Sequence, residues 1–188
     1  VTARTFKTHF TATTFMQNSV LLEGSSLSVA PVSVQETKDK IQFSYEVAVT
    51  KEQTTTIQKI GGYAVSINHE NTIIGAKNSI AKALEIGISQ LTQNQKEAWA
   101  KIWEMSDITI DGDVKAQQGI RFNIFQLNQT YLGKDSRLNI GPKGFTGEKY
   151  GGSTYWDTEA YCIPFYMATK DQQVARNLLA YRYNQLDK

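Results

Sequence analysis

Residues 155–159, with the sequence YWDTE, place two aromatic rings, two carboxylates and a hydroxyl side by side. A stretch with five glycines, residues 141–152, comes immediately before them. An indole ring can cover the C–H face of a pyranose while a neighbouring carboxylate accepts hydrogen bonds from the sugar hydroxyls. Trp156 and Asp157 are therefore candidate sugar-binding residues, and we expect the glycine-rich loop to give the backbone room to present both.

A purely structural role for the same residues stays open on this pattern. Asp157 and Thr158 are residue types that cap the start of a helix, and Trp156 is a residue type that fills cores. Asp157 and Glu159 are not predicted to be a catalytic carboxylate pair. Such pairs flank the scissile bond from opposite sides, which neighbours on one helical turn rarely do.

Other kinds of catalytic or binding site find little support in the sequence. The glycine-rich loop lacks the Gly-Lys-Ser/Thr ending of a P-loop and the G-x-G-x-x-G spacing of a dinucleotide site. His9 and His69 are isolated from other potential metal ligands, and each is expected to be a surface or strand residue. We therefore predict neither a nucleotide site nor a metal site, and no Ser/His/Asp or Cys/His arrangement stands out.

Composition limits the partners further. The 188 residues include 20 Lys and Arg against 18 Asp and Glu. The sequence has no dense basic stripe of the kind that contacts phosphates, so binding to nucleic acid is not expected. No apolar segment approaches the length of about 20 residues that spans a bilayer, and residues 1–10 lack the apolar core of a signal peptide.

The single Cys162 has no internal disulfide partner, which favours a reducing, cytoplasmic setting. Without an initiating Met, and ending in a helical pattern, the sequence is expected to be a piece of a longer protein.

A period of two dominates the first part of the chain. Residues 41–49 alternate apolar and polar side chains, which predicts a strand in an antiparallel sheet. The pair Gly61 and Gly62 is predicted to separate two further strands.

Helical periods follow from about residue 78. Gly87 is a weak point in the first helical run, and Trp99 and Trp103, four residues apart, lie on one helical face. Those two rings are interpreted as core residues that pin one helix to another, with stacking on a ligand as the alternative.

Three more helices are predicted towards the C-terminus. Asp113 is a candidate N-cap for an amphipathic helix that reaches Tyr131. Residues 158–168 are apolar nearly all round, and Pro164 should kink that helix or lie near one of its ends. A further helix starts at about residue 171. The predicted fold class is therefore α+β, with an antiparallel β part over 1–76, a helical linker over 77–105 and an all-helical part over 106–188.

Four stretches of the sequence resemble one protein family. They are QQGIRFNIFQL, RLNIGPKGFTGEKYGGSTYWDTEAY, RNLLAYRYNQLD and the linker WAKIWEMSDI. They resemble the disaccharide phosphorylases of glycoside hydrolase family 65, in its maltose phosphorylase group. The resemblance is clear over residues 99–188, whereas over 1–75 it rests on the expected order of domains. It implies a β-sandwich portion over 1–76, a linker over 77–105 and the first helices of an (α/α)6 catalytic barrel over 106–188.

The resemblance also implies an activity. Members split an α-linked glucose disaccharide with inorganic phosphate and invert the anomeric centre, so that maltose gives β-glucose 1-phosphate and glucose. Trp156 and Asp157 match the pair that holds the non-reducing glucose. Ser153 stands where trehalose and kojibiose phosphorylases usually carry a histidine, which favours maltose. The general acid and the phosphate site match no residue of this chain, so the chain alone is expected to be inactive.

Further expectations follow from the same resemblance. Phosphate is a co-substrate and no cofactor is needed, and the intact protein is a cytoplasmic homodimer. Two alternatives stay open: a phosphorylase of trehalose or of a phosphorylated disaccharide, and a carbohydrate-binding module without catalysis.

Overall fold

Antiparallel strands form the first part of the chain and helices form the second. The computed structural model describes residues 1–6, 9–22, 25–27, 30–142 and 153–186. Two units, Val1–Gln93 and Asn94–Lys188, each make their own set of internal contacts. The division falls within a helix, and the predicted boundaries at residues 76 and 105 stay predictions. The α+β fold class is confirmed.

The first unit is organised around one long central strand. Strand β2 (Thr11–Leu22) pairs antiparallel with β6 (Thr55–Val65) over its length from Ala12 onwards. Its other edge carries two short strands, β1 (Thr2–Arg4) at one end and β3 (Ser25–Leu27) at the other. All three strands that pair with β2 are antiparallel to it, as the period of two predicts.

The second sheet is a hairpin of β4 (Ser33–Glu36) and β5 (Ile41–Ser44). Strand β5 covers only the first part of the alternating run, because β4 is too short to pair with the residues after Ser44. The prediction that Gly61 and Gly62 separate two strands is wrong, since both lie within β6. They are packed against β2: a Cβ on Gly62 would lie 2.9 Å from Cζ of Phe15.

Helix α1 (Thr72–Ile86) packs on this sheet in the first unit. It begins six residues before the predicted start, because the Asn71 side chain accepts hydrogen bonds from the backbone N–H groups of Ile73 and Ile74. The hydroxyl oxygens of Thr72 and Thr13 are buried and form a 2.7 Å hydrogen bond, which joins the start of α1 to β2. Helix α1 ends at Gly87, which has a φ of +79°, so the predicted weak point is a break between two helices.

Helices α2 (Ile88–Ser106) and α3 (Val114–Thr130) follow. The predicted N-cap is confirmed, because the Asp113 carboxylate accepts a 2.9 Å hydrogen bond from the backbone N–H of Ala116. No helix of the described residues is long and apolar enough to cross a membrane.

The last helical region changes its geometry around Pro164. A π-helical turn (Thr158–Cys162) leads directly into α4 (Ile163–Thr169), and Pro164 occupies the first turn of α4. Proline has no N–H, and its ring clashes with the carbonyl four residues earlier, so a wider turn before it relieves both problems. Pro164 therefore lies near a helix end, as predicted. Helix α5 (Gln172–Tyr183) completes the chain's described elements.

The core of the second unit lies where α4 and α5 meet the segment after α3. Its buried members are Tyr131, Ile140, Ile163, Tyr166, Val174, Ala175 and Leu178. Gly133 adjoins this core with a φ of +75°, and a Cβ there would lie 2.4 Å from the Val174 side chain. Both its conformation and its contact with α5 therefore require glycine.

We predict that Gly133→Ala lowers the free energy of unfolding of the second unit by about 2–4 kcal/mol, the sum of a left-handed backbone penalty and overpacking. Gly119→Ala is the matched control. Gly119 lies within α3, and a Cβ there has nothing within 4 Å. The control should be stabilised by about 0.5–1 kcal/mol through helix propensity. Urea denaturation followed by near-UV circular dichroism measures both, and equal stability of the two variants would contradict the prediction.

Candidate functional site

The five residues YWDTE lie where an extended segment turns into the π-helical turn. Residues 153–155 have no regular secondary structure, and Asp157 already has helical dihedrals, with φ −54° and ψ −33°. The Trp156 side chain is 65% exposed and Tyr155 is 40% exposed. The Trp156 ring lies with its centroid 5.9 Å from that of Tyr161, at an interplanar angle of 46°. Trp156 is therefore a surface aromatic in this chain rather than a core residue.

Asp157 occupies the N-cap position without acting as a cap. Its side chain makes no capping hydrogen bond to the backbone of the turn that follows. The prediction that Asp157 caps the helix is therefore wrong, and Asp157 is a half-buried residue that directly follows the exposed Trp156. An indole and a carboxylate at adjacent positions are suited to contact a polar ligand with one apolar face.

Thr158 anchors the turn to the preceding segment. Its side chain is 1% exposed, and its hydroxyl donates a 2.7 Å hydrogen bond to the backbone carbonyl of Ile140. Nearby, the Asn139 amide donates a 2.6 Å hydrogen bond to the Thr154 hydroxyl. These two bonds join the segments on either side of the glycine-rich stretch, of which residues 143–152 lie outside the described residues. The prediction that this loop presents Trp156 and Asp157 therefore stays a prediction.

Glu159 is held by an arginine of α5. Arg182 donates from Nε to one carboxylate oxygen of Glu159 at 2.8 Å and from Nη2 to the other at 2.9 Å. The same Nη2 donates to the backbone carbonyl of Tyr155 at 2.9 Å. The hydrogen bonds between Arg182 and Glu159 lower the pKa of Glu159 and raise that of Arg182. Glu159 is therefore an ion-paired anchor that joins the turn to α5.

Cys162 is the last residue of the π-helical turn and is half-buried. Burial raises the pKa of its thiol, and the negative charges of Asp157 and Glu159 raise it further. The group is therefore a neutral thiol at neutral pH and a poor nucleophile.

Trp99 and Trp103 pack on each other and on α3. Their ring centroids lie 6.0 Å apart, and Trp99 stacks on Phe125 at 5.0 Å. This packing agrees with the interpretation that the rings join one helix to another, but both tryptophans are half-buried rather than part of the buried core. Among the described residues, no group of three His, Cys, Asp or Glu side chains is placed to hold a metal ion.

Sequence reasoning missed the residues that hold the turn in place. Arg182 lies 23 positions after Glu159, and Ile140 lies 18 positions before Thr158. No local spacing rule connects residues so far apart. The signal available was indirect: Arg182 lies in RNLLAYRYNQLD, one of the stretches that carry the family resemblance.

Comparison with protein families divides the chain into two matched regions. Residues 1–102 match the N-terminal domain of glycosyl hydrolase family 65, and residues 121–188 match the central catalytic domain of the same family. The second region contains the whole YWDTE segment and Arg182.

Individual relatives agree with these matches. A maltose phosphorylase from Bacillus subtilis is 53% identical over 118 residues, which are 63% of this chain and 16% of that protein. An alpha,alpha-trehalose phosphorylase from Thermoanaerobacter brockii is 34% identical over 189 aligned positions, covering 100% of this chain and 24% of that protein. A solved structure named as a candidate kojibiose phosphorylase from the human microbiome superposes with a TM-score of 0.82 at 29% identity, over 100% of this chain and 24% of that chain. The chain therefore spans less than a quarter of the length of these relatives.

The Glu159 ion pair makes a prediction about pH. Because the pKa of Glu159 in the folded state lies below its usual 4.5, the pair stabilises the fold above that pH and loses this effect as the pH falls through the folded-state pKa. Glu159→Gln should lower the free energy of unfolding by about 0.5–1 kcal/mol at pH 7, the size typical of a partly exposed pair. The difference from the wild type should shrink at pH 3.

Urea denaturation at pH 7 and pH 3 measures this difference. Glu104→Gln, at an exposed position of α2, is the matched control and should change stability little at either pH. A Glu159→Gln deficit that is the same at both pH values would show that the charge of Glu159 is unimportant.

Proposed function

This chain belongs to glycosyl hydrolase family 65, and from that membership we propose that the intact protein is an inverting disaccharide phosphorylase in which this chain supplies part of the glucose subsite. The residues proposed to bind the sugar are Trp156 and Asp157. The proposed reaction is maltose plus inorganic phosphate to β-D-glucose 1-phosphate plus D-glucose.

One observation carries the assignment of these two residues. Within YWDTE, Thr158 and Glu159 are engaged in holding the turn, through Ile140 and Arg182 respectively. Trp156 is exposed and Asp157 makes no capping bond. The anchored residues thus leave an aromatic face and a carboxylate available, and this pair complements the apolar C–H face and the hydroxyls of a glucose ring.

The chemistry proposed for this site is a single displacement at the anomeric carbon. A carboxylic acid elsewhere in the intact protein gives its proton to the glycosidic oxygen as the bond from C1 to that oxygen breaks. A phosphate oxygen forms the new bond to C1 from the opposite face, where an inverting hydrolase would use water. Asp157 and Trp156 hold the ring on which positive charge develops, and no residue of this chain is proposed to transfer the proton.

Maltose is proposed as the substrate for two reasons. The maltose phosphorylase relative has the higher identity, 53% against 34% for the trehalose phosphorylase, although over a shorter alignment. Ser153 and the opening Gly141-Pro142-Lys143-Gly144 of the loop sequence also favour the maltose group. A trehalose phosphorylase is the second candidate, because that relative aligns with the entire chain.

The remaining parts of the proposal concern partners and location. Inorganic phosphate is the co-substrate, no cofactor is required, and the intact protein is a homodimer in the cytoplasm. The single half-buried Cys162 is compatible with a reducing compartment.

Incubation of the intact protein with maltose or trehalose, with and without phosphate, tests the reaction class. Nuclear magnetic resonance of the sugar products should show β-glucose 1-phosphate from maltose only when phosphate is present. Glucose release without phosphate would make the protein a hydrolase. No reaction with either sugar would favour the carbohydrate-binding module.

We predict that Asp157→Asn in the intact protein lowers kcat/KM for phosphorolysis by about tenfold or more. The substitution keeps the side-chain shape but removes charged hydrogen-bond acceptors, which are worth about 1.5–3 kcal/mol each. The fold should persist, since Asp157 makes no capping bond. Glu104→Gln is the control and should retain wild-type kinetics. A folded Asp157→Asn enzyme with wild-type kcat/KM would rule out the subsite assignment.

A further inference from the structure

One guanidinium group contacts the backbone before Trp156 and the side chain after Asp157. Arg182 bonds the carbonyl of Tyr155 at 2.9 Å and both carboxylate oxygens of Glu159 at 2.8 and 2.9 Å. The two proposed sugar-binding residues lie between these attachment points. Their backbone is therefore fixed on both sides by a single residue of α5.

The chemistry of arginine suits this arrangement. Its planar fork presents five N–H donors in a fixed geometry, so Nε and Nη2 can each donate to one carboxylate oxygen while the second N–H of Nη2 donates to a carbonyl. A lysine ammonium keeps the charge but is a single point on a flexible stem. Its three donors all lie on one nitrogen, so it cannot reproduce the bonds that Arg182 makes from two separate nitrogens, Nε and Nη2.

Stability alone gives a weak reason for this pair. The side chains of Arg182 and Glu159 are each 33% exposed, and partly exposed ion pairs contribute little to folding. The more deeply buried anchor of the turn is Thr158, whose hydroxyl bonds Ile140. Thr158 fixes the turn to the segment before it, whereas Arg182 fixes the orientation of the backbone that carries Trp156 and Asp157 relative to α5.

We infer that Arg182, acting with Glu159, is the positioning residue of the glucose subsite. It contacts neither the sugar nor the reacting atoms; it holds the backbone from Tyr155 to Glu159 so that the indole and the carboxylate meet one sugar ring together. This inference rests on the proposed function, because it assigns a role within that subsite.

The kinetic test uses Arg182→Lys in the intact protein. Displacing a bound sugar by about 1 Å can reduce the rate by about 100-fold, so kcat/KM for phosphorolysis should fall by about 10- to 100-fold. The Tm should change little, since the charge is kept. Arg176→Lys, at an exposed position of the same helix, is the matched control and should leave kcat/KM unchanged.

A double-mutant cycle separates positioning from general damage. If Arg182 acts through Glu159, then Arg182→Lys combined with Glu159→Gln should lose little more activity than the worse single variant. Losses that multiply, or an Arg182→Lys enzyme with wild-type kcat/KM, would overturn the inference.

A spectroscopic measurement tests whether Arg182 orders Trp156 and does not depend on activity. The intact protein is labelled with 5-fluorotryptophan, and the 19F resonance of Trp156 is assigned by its loss in Trp156→Phe. Arg182→Lys should shift or broaden that resonance, whereas Arg176→Lys should leave it in place. A Trp156 resonance unchanged by Arg182→Lys would overturn the positioning role.

The two proposals can fail separately. A wild-type protein without phosphorolysis would reject the proposed reaction, while the 19F measurement would still show whether Arg182 orders Trp156. If the wild type is active, and Arg182→Lys changes neither kcat/KM nor the 19F resonance of Trp156, the positioning role alone would be rejected.

Discussion

The candidate site depends on one buried hydrogen bond, from the Thr158 hydroxyl to the carbonyl of Ile140. Both residues are 1% exposed, and a buried polar group without a partner would destabilise the fold, so the bond fixes the start of the π-helical turn against the segment that precedes it. With Thr158 facing inward, Trp156 is directed to the surface. Trp156 of the proposed subsite is thus exposed because Thr158, two residues later, is buried.

The helices around this turn are joined by side chains that donate hydrogen bonds to backbone carbonyls of other segments. Tyr166 of α4 donates its hydroxyl at 2.9 Å to the carbonyl of Leu127, near the end of α3, and the same carbonyl accepts a 3.2 Å hydrogen bond from the backbone N–H of Tyr131. Asn177 of α5 donates to the carbonyl of Gly133 at 2.6 Å. Burial raises the pKa of the Tyr166 phenol above its usual value of 10, so the hydroxyl is a donor at neutral pH. These bonds place α5, and with it Arg182, at a defined position relative to the turn.

The sequence predicted local features well and long-range ones poorly. The Asp113 cap and the placement of Pro164 near a helix end follow from short-range rules, and both are confirmed. Gly61 and Gly62 were misassigned because the need for glycine there comes from Phe15, on the neighbouring strand. For the same reason Arg182 was missed: its partners Glu159 and Tyr155 are distant in sequence. At the candidate site, the residue types of Trp156 and Asp157 suggested a sugar ligand, but which neighbours would hold them depended on tertiary structure.

The most direct test of the proposed glucose subsite is a crystal structure of the intact protein with glucose bound. In that structure we expect the indole of Trp156 against the C–H face of the sugar, with the Asp157 carboxylate within hydrogen-bonding distance of the sugar hydroxyls. Glucose bound elsewhere, with Trp156 and Asp157 making no contact to it, would contradict the central claim that this exposed pair is the sugar-binding part of the chain.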